Sequence, residues 1–234
     1  MTETAIAASL AAARARIDAV CARVGRDPDE VELLPVSKTH PQDALRAAHA
    51  AGYRRFGESR PQELEAKASG LADLGLGWVF IGHLQSNKAR VVADLADEFQ
   101  ALDSLRLAQA LDRRLQALGR RLPVLVQVNS SGEATKGGFT PDEVPAAVRD
   151  LRALDGLDVR GLMTLAANTD DEGAVRACFT TVTALQARLR DEHGGGFDAL
   201  SMGMSGDFEV AVECGSTCVR LGTTIFGARA LSAP

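Results

Sequence analysis

The four cysteines, Cys21, Cys178, Cys214 and Cys218, form no C-x-x-C pair. A chain of 234 residues can build a core without disulfides, so they read as reduced thiols. His40, His49, His83 and His193 lie far apart, with no H-x-x-x-H, which excludes the usual zinc spacings. No Lys/Arg run exceeds two residues and the formal net charge is -5, which argues against a nucleic-acid partner. No apolar run approaches the roughly 18 residues of a membrane helix. Arg14, Arg16, Asp18 and Arg23 interrupt any apolar signal segment, so a cytoplasmic protein is expected. No linker of low complexity divides the chain, so residues 1–234 are expected to form one domain.

What is present is alternation. Ile6, Leu10, Ala13, Ile17, Val20 and Val24 recur at helical spacing, predicting an N-terminal helix that ends near Gly25 and Pro28. Eight strand-like runs follow: VELLPVSK, RRFGE, WVFIG, EFQALD, PVLVQVN, VRGLMTL, ALSMGM and CVRLGTTIFG. Helical stretches separate them: 41–51, 61–69 opening on Pro61, one capped by Ser86, 104–118 capped by Ser104, 142–154, 172–193 and 207–213. Strands alternating with helices make a parallel sheet, and eight such units make an α/β (β/α)8 TIM barrel. Here it carries one extra helix, residues 1–28, packed on its outside. An open doubly wound sheet would show a glycine-rich loop after its first strand, and SKTHPQD has no glycine.

In a barrel, chemistry sits at the C-terminal ends of strands. Lys38 ends the first, in phase with Leu34 and Val36. Such a lysine is either solvated or held against apolar walls, where its amine deprotonates and can attack a carbonyl. The ends of strands 7 and 8 offer Ser205, Gly206, Gly222 and Thr223, residue types that suit turns and also phosphate contacts. Arg220 lies within strand 8. It either points outward to a helix carboxylate, or inward, where it would donate to a ring nitrogen and keep that nitrogen unprotonated. Lys88, expected in a first helical turn, opposes the helix dipole and either meets an anion or is solvated. Lys136 reads as a solvated loop residue. Together, Lys38 and the strand 7 and 8 ends suggest a phosphorylated carbonyl ligand.

VSKTHP, FGESRPQE, FIGHLQSNK, VQVNSSGEATKGGF, RGLMT and SMGMSGDFEVAVECGSTCVRLGTTIFGAR occur in order between Val31 and Arg229. In these motifs the chain resembles the pyridoxal-phosphate homeostasis protein family, small alanine-racemase-like barrels. The resemblance implies pyridoxal 5'-phosphate as cofactor, held as an internal aldimine on Lys38. It implies that Ser205, Gly222 and Thr223 hold the phosphate, with Gly206 also in the cofactor site, that Arg220 faces the pyridine nitrogen, and that Met163 and Met204 line the pocket. The sequence departs at Ser59, where the family has an asparagine after Gly57-Glu58, and at Val79, where a histidine often precedes FIG. Ser59 can replace the asparagine contact to the cofactor with a shorter side chain.

The resemblance implies a cofactor holder in intracellular homeostasis, with no catalytic residue and no metal. Expected partners are the cofactor and the apo-enzymes that use it, and the expected state is a monomer. The alternative is an amino-acid racemase or another fold-type III enzyme of this cofactor. Such a racemase carries a further β domain and a tyrosine opposite the lysine. The one tyrosine, Tyr53, lies at the start of strand 2, at the far end of the barrel. A third reading, a Schiff-base aldolase for a sugar phosphate, would use Glu58 as its acid; it rests on fold analogy.

Overall fold

A computed structural model describes residues 1–133, 135–193 and 195–228. Arg229, the last residue of the quoted C-terminal motif, lies outside them. Helix α1 (Glu3–Val24) precedes the first strand. The strands are β1 (Glu32–Pro35), β2 (Arg55–Glu58), β3 (Gly77–Phe80), β4 (Glu98–Leu102), β5 (Leu122–Val128), β6 (Leu157–Thr164), β7 (Ala199–Ser201) and β8 (Cys218–Leu221). The helices between and after them are α2 (Gln42–Ala50), α3 (Pro61–Gly70), α4 (Ala89–Leu95), α5 (Leu105–Leu118), α6 (Val144–Arg152), α7 (Glu172–His193), α8 (Phe208–Glu213) and α9 (Thr223–Phe226).

The strands form one parallel sheet in the order β1-β8-β7-β6-β5-β4-β3-β2. Its ends meet at one bridge, Val36 to Gly57, beside a hydrogen bond from Ser37 N–H to Gly57 O of 3.0 Å. The result is an (β/α)8 barrel closed at the mouth of the β1–β2 seam. All eight expected strands are present.

Helix α1 starts on Thr2, whose hydroxyl accepts from Ala5 N–H, and stops at Gly25, which takes a left-handed conformation at φ 72°. Its buried face is Ile6, Leu10, Ala13, Ile17, Val20 and Cys21, packed on α2, α8 and α9. Each large side chain removed from water there is worth about 1.5–3 kcal/mol. Val24, counted into the stripe above, is exposed, and Cys21 takes its place one turn after Ile17. Arg26 then ties the helix end to the barrel by donating to the carbonyls of Val212 and Ser216.

Two further expectations are corrected. Ser86 caps no helix: it opens a short 3-10 turn, Ser86–Lys88, and α4 starts after Lys88 without a side-chain cap. The eighth strand stops at Leu221, and Thr223–Phe226 turns into α9. Thr-Thr-Ile-Phe has strand-type residues, but packing overrides propensity. Ile225 and Phe226 are buried, and the Phe226 ring lies 5.1 Å from that of His40. Ser104 does cap α5, and Gly119 ends it in a left-handed conformation.

The large hydrophobic core lies between the strands and the helices, and includes Phe56, Phe80, Phe99, Phe179 and Phe208. Inside the barrel a thinner layer, Leu34, Val79 and Cys218 with Ile81, packs separately. Gly161 of β6 is where β7 comes closest: a Cβ there would stand 1.8 Å from the Ala199 carbonyl oxygen. Gly161→Ala is therefore expected to lower the unfolding free energy by about 2–3 kcal/mol. A denaturant midpoint that does not move would refute that close approach.

Candidate functional site

The β1 register places Leu34 opposite Arg220 and Pro35 opposite Leu221, and Val36 N–H donates to Leu221 O. A Cβ on Gly222 would lie 3.5 Å from the Val36 carbonyl oxygen, so the two strand ends run side by side. Lys38, half-buried, follows two residues after Val36. Closure thus brings Lys38, Arg220, Gly222 and Thr223 to one sector of the mouth.

Arg220 is inward, and the outward reading with a helix carboxylate is excluded. It is 3% exposed, with Nη1 donating to Ser201 Oγ at 2.5 Å and Nη2 to the Thr164 carbonyl at 2.8 Å. Both acceptors are neutral. Burial pulls its pKa down, with Asp207 acting the other way. Beneath it, Ser201 Oγ donates to Gln100 Oε1 at 2.7 Å, and Gln100 Nε2 donates to Glu98 Oε1 at 2.7 Å. Glu98 and Glu32 both pair with Arg55 at the floor. Cys218, within this layer, is held as a thiol: burial and the nearby Glu32 push its pKa up to about 12.

Ser205 reaches the same sector from β7, with Thr224 N–H donating to its Oγ at 3.3 Å. Met163 pairs in register with Ser201, so the two share the inward face of the sheet. Ser59 is half-buried beyond the end of β2, and its backbone passes so close to Gly82 that a Cβ there would meet the Ser59 carbonyl oxygen at 2.2 Å. Met204 and Gly206 are exposed. They line a cavity of about 660 Å³ with Lys136, Ala166, Asn168 and Val210.

Lys136 is not the solvated loop residue expected. Its ammonium donates to Glu133 Oε1 and to the Ala166 carbonyl, and joins the loop after β5 to the loop after β6. Lys88 is exposed at the start of α4. Tyr53 precedes β2 and packs on the outer core near Arg14 and Asp18 of α1, away from the mouth. His83 and Asp103, at the ends of β3 and β4, approach to 2.7 Å at Nδ1 and Oδ2.

Glu58 stands differently from its sequence reading as an acid facing Lys38. Gly57 packs against the inner residues Leu34, Val36 and Ile81, so its neighbour Glu58 projects to the outer side of the sheet. There it meets Ser37 and Lys67, with Glu63 adjoining. Burial pushes the Glu58 carboxyl up against the pull of the Lys67 ammonium. Sequence reasoning missed Lys67, although Leu64, Lys67 and Leu71 share a helical stripe and all three are buried. A lysine inside an apolar stripe was the available signal.

Glu63 moves the other way. Burial opposes its ionisation, but the Thr39 N–H and the Lys67 ammonium outweigh it, so its pKa is lowered. A lowered carboxylate stabilises above its unfolded value and loses that contribution as pH falls through its folded one. Glu63→Gln should therefore be less stable than the native chain at neutral pH. The gap should close as pH drops below the ordinary 4.5. Denaturant midpoints of the two proteins between neutrality and acid pH test this, and a gap that widens in acid would contradict it.

A family model described as the alanine racemase N-terminal domain matches residues 8–230. The pyridoxal phosphate homeostasis protein of Pseudomonas aeruginosa is 44% identical over 229 residues, 98% of either chain. That of Escherichia coli K12 is 40% identical over 227 residues, 96% of this chain and 97% of its own. Among solved structures, PipY of Synechococcus elongatus, with PLP bound, is 37% identical with a TM-score of 0.83, over 95% of this chain and 100% of that one. An alanine racemase of Clostridium difficile superposes with a TM-score of 0.76 at 18% identity, which is a likeness of fold. The match covers 98% of this chain and 58% of the racemase.

Proposed function

The chain belongs to the alanine racemase N-terminal domain family and, within it, to the pyridoxal phosphate homeostasis proteins, and on that premise we propose that it holds pyridoxal 5'-phosphate on Lys38 as a carrier in intracellular cofactor homeostasis. The observation that carries this reading is Arg220. A guanidinium fully removed from water, bonded to a hydroxyl and a carbonyl and with no ion pair among the described residues, is costly alone. A ring nitrogen's lone pair is a fitting further acceptor for it.

The remaining residues fit the same ligand. The Lys38 amine would hold the aldehyde end. Ser205, Gly206, Gly222 and Thr223 would hold the phosphate, and Met163, Met204 and Ser59 would border the ring. When bound, the cofactor supplies an aldehyde and an electron-withdrawing ring. Arg220 keeps its proton at any working pH, so it donates toward the ring nitrogen and leaves that nitrogen unprotonated. The apolar inner layer of Leu34, Val36 and Ile81 limits water beneath the lysine.

The reading of carrier over catalyst is supported by Tyr53, which packs on the outer core near α1, and by the homeostasis role that the relatives are named for. Residues 1–234 are taken as one cofactor-binding barrel domain, a monomer of the cytoplasm that hands its cofactor to apo-enzymes. Among the described residues no helix is long and apolar enough to cross a membrane.

The purified protein mixed with pyridoxal phosphate should be yellow, and borohydride followed by peptide mass analysis should place the cofactor on Lys38. Lys38→Ala should lose the visible band; a variant that keeps it would overturn the assignment. Incubation of the loaded protein with D- or L-alanine should give no significant racemisation. Robust turnover would overturn the carrier reading in favour of an enzyme.

A further inference from the structure

The β1–β2 seam has one bridge, Val36 to Gly57, and Lys38 follows two residues after Val36. On the outer side of this seam, under α3, a group of side chains converges on the main chain either side of Lys38. Lys67 Nζ donates to the Ser37 carbonyl at 2.7 Å and to Glu58 Oε1 at 2.6 Å. Ser37 Oγ donates to the same Glu58 oxygen at 2.6 Å. Thr39 N–H donates to Glu63 Oε2 at 2.6 Å, and Lys67 Nζ lies 3.3 Å from that oxygen. The Ser37 carbonyl belongs to the peptide entering Lys38, and the Thr39 N–H to the peptide leaving it. Both peptides are therefore gripped by charged side chains of one cluster.

The arrangement carries marks of a function other than stability. The Lys67 and Glu58 side chains are 7% and 0% exposed, so both charges have been taken out of water. Glu58 Oε2 is buried without a partner among the described residues. Thr39 holds φ at 67°, a left-handed conformation that a β-branched residue rarely adopts. A buried ion pair of this kind is commonly replaceable by apolar residues of similar volume without loss of stability. Backbone strain maintained by its surroundings collects where a side chain must be aimed.

We propose that Glu58, Lys67 and Glu63 are positioning residues for Lys38: acting through the Ser37 carbonyl and the Thr39 amide, they fix its backbone so that its amine meets a ligand aldehyde in the mouth. The inference rests on the carrier reading for its ligand. The three side chains touch no ligand themselves, since Glu58 projects from the outer face of the sheet. Their effect is on the rate and geometry of attachment, through the main chain.

The test is the double variant Glu58→Leu/Lys67→Met, which removes both charges together and so leaves neither alone in the core. Three quantities are read: the thermal midpoint, the rate at which the visible band forms with pyridoxal phosphate, and hydrogen exchange of the Lys38 and Thr39 amides in the protein without ligand. The expected result is a midpoint equal to or above that of the native chain, attachment slowed about tenfold or more, and faster exchange at both amides. Unchanged attachment and unchanged exchange would overturn the proposal. So would a fall in midpoint with exchange quickened throughout the barrel, the signature of a purely structural pair. If the double variant does not fold, Glu63→Gln, already expected to be the less stable at neutral pH, is read by attachment rate and by exchange at the Thr39 amide: slowed attachment with faster exchange confined to Thr39 supports the clamp, and unchanged attachment, or exchange quickened throughout the barrel, overturns it. If the native chain forms no band, the carrier reading fails, while the exchange measurement still decides the clamp.

Discussion

Barrel closure between β1 and β2 is the constraint on which the rest of the molecule depends. Seven of the eight neighbouring strand pairs are joined by ladders, and the eighth by the Val36–Gly57 bridge and the Ser37–Gly57 hydrogen bond. Were the seam open, Lys38 would sit on an edge strand, with its polar backbone available to solvent and to other chains. Closed, the seam carries Lys38 over a layer of Leu34, Val79 and Ile81, with the ends of β8 and β7 beside it. The outer core supplies the bulk of the driving force. The seam decides where that force delivers Lys38.

The inside of the barrel obeys a different rule from the outside. Outside, phenylalanines and leucines fill the space beneath the helices. Inside, the axis is a directed polar chain. Glu98 can only accept, so the Gln100 amide must present its NH2 to it and its oxygen to Ser201. Ser201 must then donate to that oxygen, which leaves its lone pairs for Arg220. Orientation is transmitted from the floor, where Arg55 bridges Glu32 and Glu98, up to the guanidinium at the mouth. Each group in the chain is satisfied by the next. That condition allows a polar axis to exist in a protein interior, and it leaves Arg220 with one way to point.

Much of this was legible in the sequence because periodicity survives packing. Eight runs with flanking helix signals define the barrel, and the phase of Leu34, Val36 and Lys38 puts the lysine above the inner layer. What was not legible depends on tertiary contact. Thr223–Phe226 has strand-type composition, and becomes helix because Ile225 and Phe226 are drawn into the core near His40. Lys136 sits in a glycine-flanked loop that looks solvated, until the loop after β6 supplies the Ala166 carbonyl as its acceptor. Glu58 was a candidate acid by fold analogy alone, and the side of β2 it takes depends on the register set at Gly57. One residue of register turns an inward carboxylate into an outward one.

The two faces of the strand end at Lys38 therefore divide the labour. Inward, the Arg220 guanidinium and the loops after β7 and β8, with Ser205, Gly222 and Thr223, meet at the mouth. Outward, Glu58, Lys67 and Glu63 hold the main chain from which the lysine projects. A carrier and a catalyst differ in what they need from such a place. Both need a lysine held in one conformation, because attachment to a small aldehyde is sensitive to about an ångström of misplacement. Only the catalyst also needs a group that can move a proton on the ligand's far side. Among the described residues, Glu58, Lys67 and Glu63 are spent on the backbone around Lys38, and the Arg220 guanidinium on Ser201 and the Thr164 carbonyl. That distribution of charge is the structural side of the proposed carrier reading, and kinship is the other.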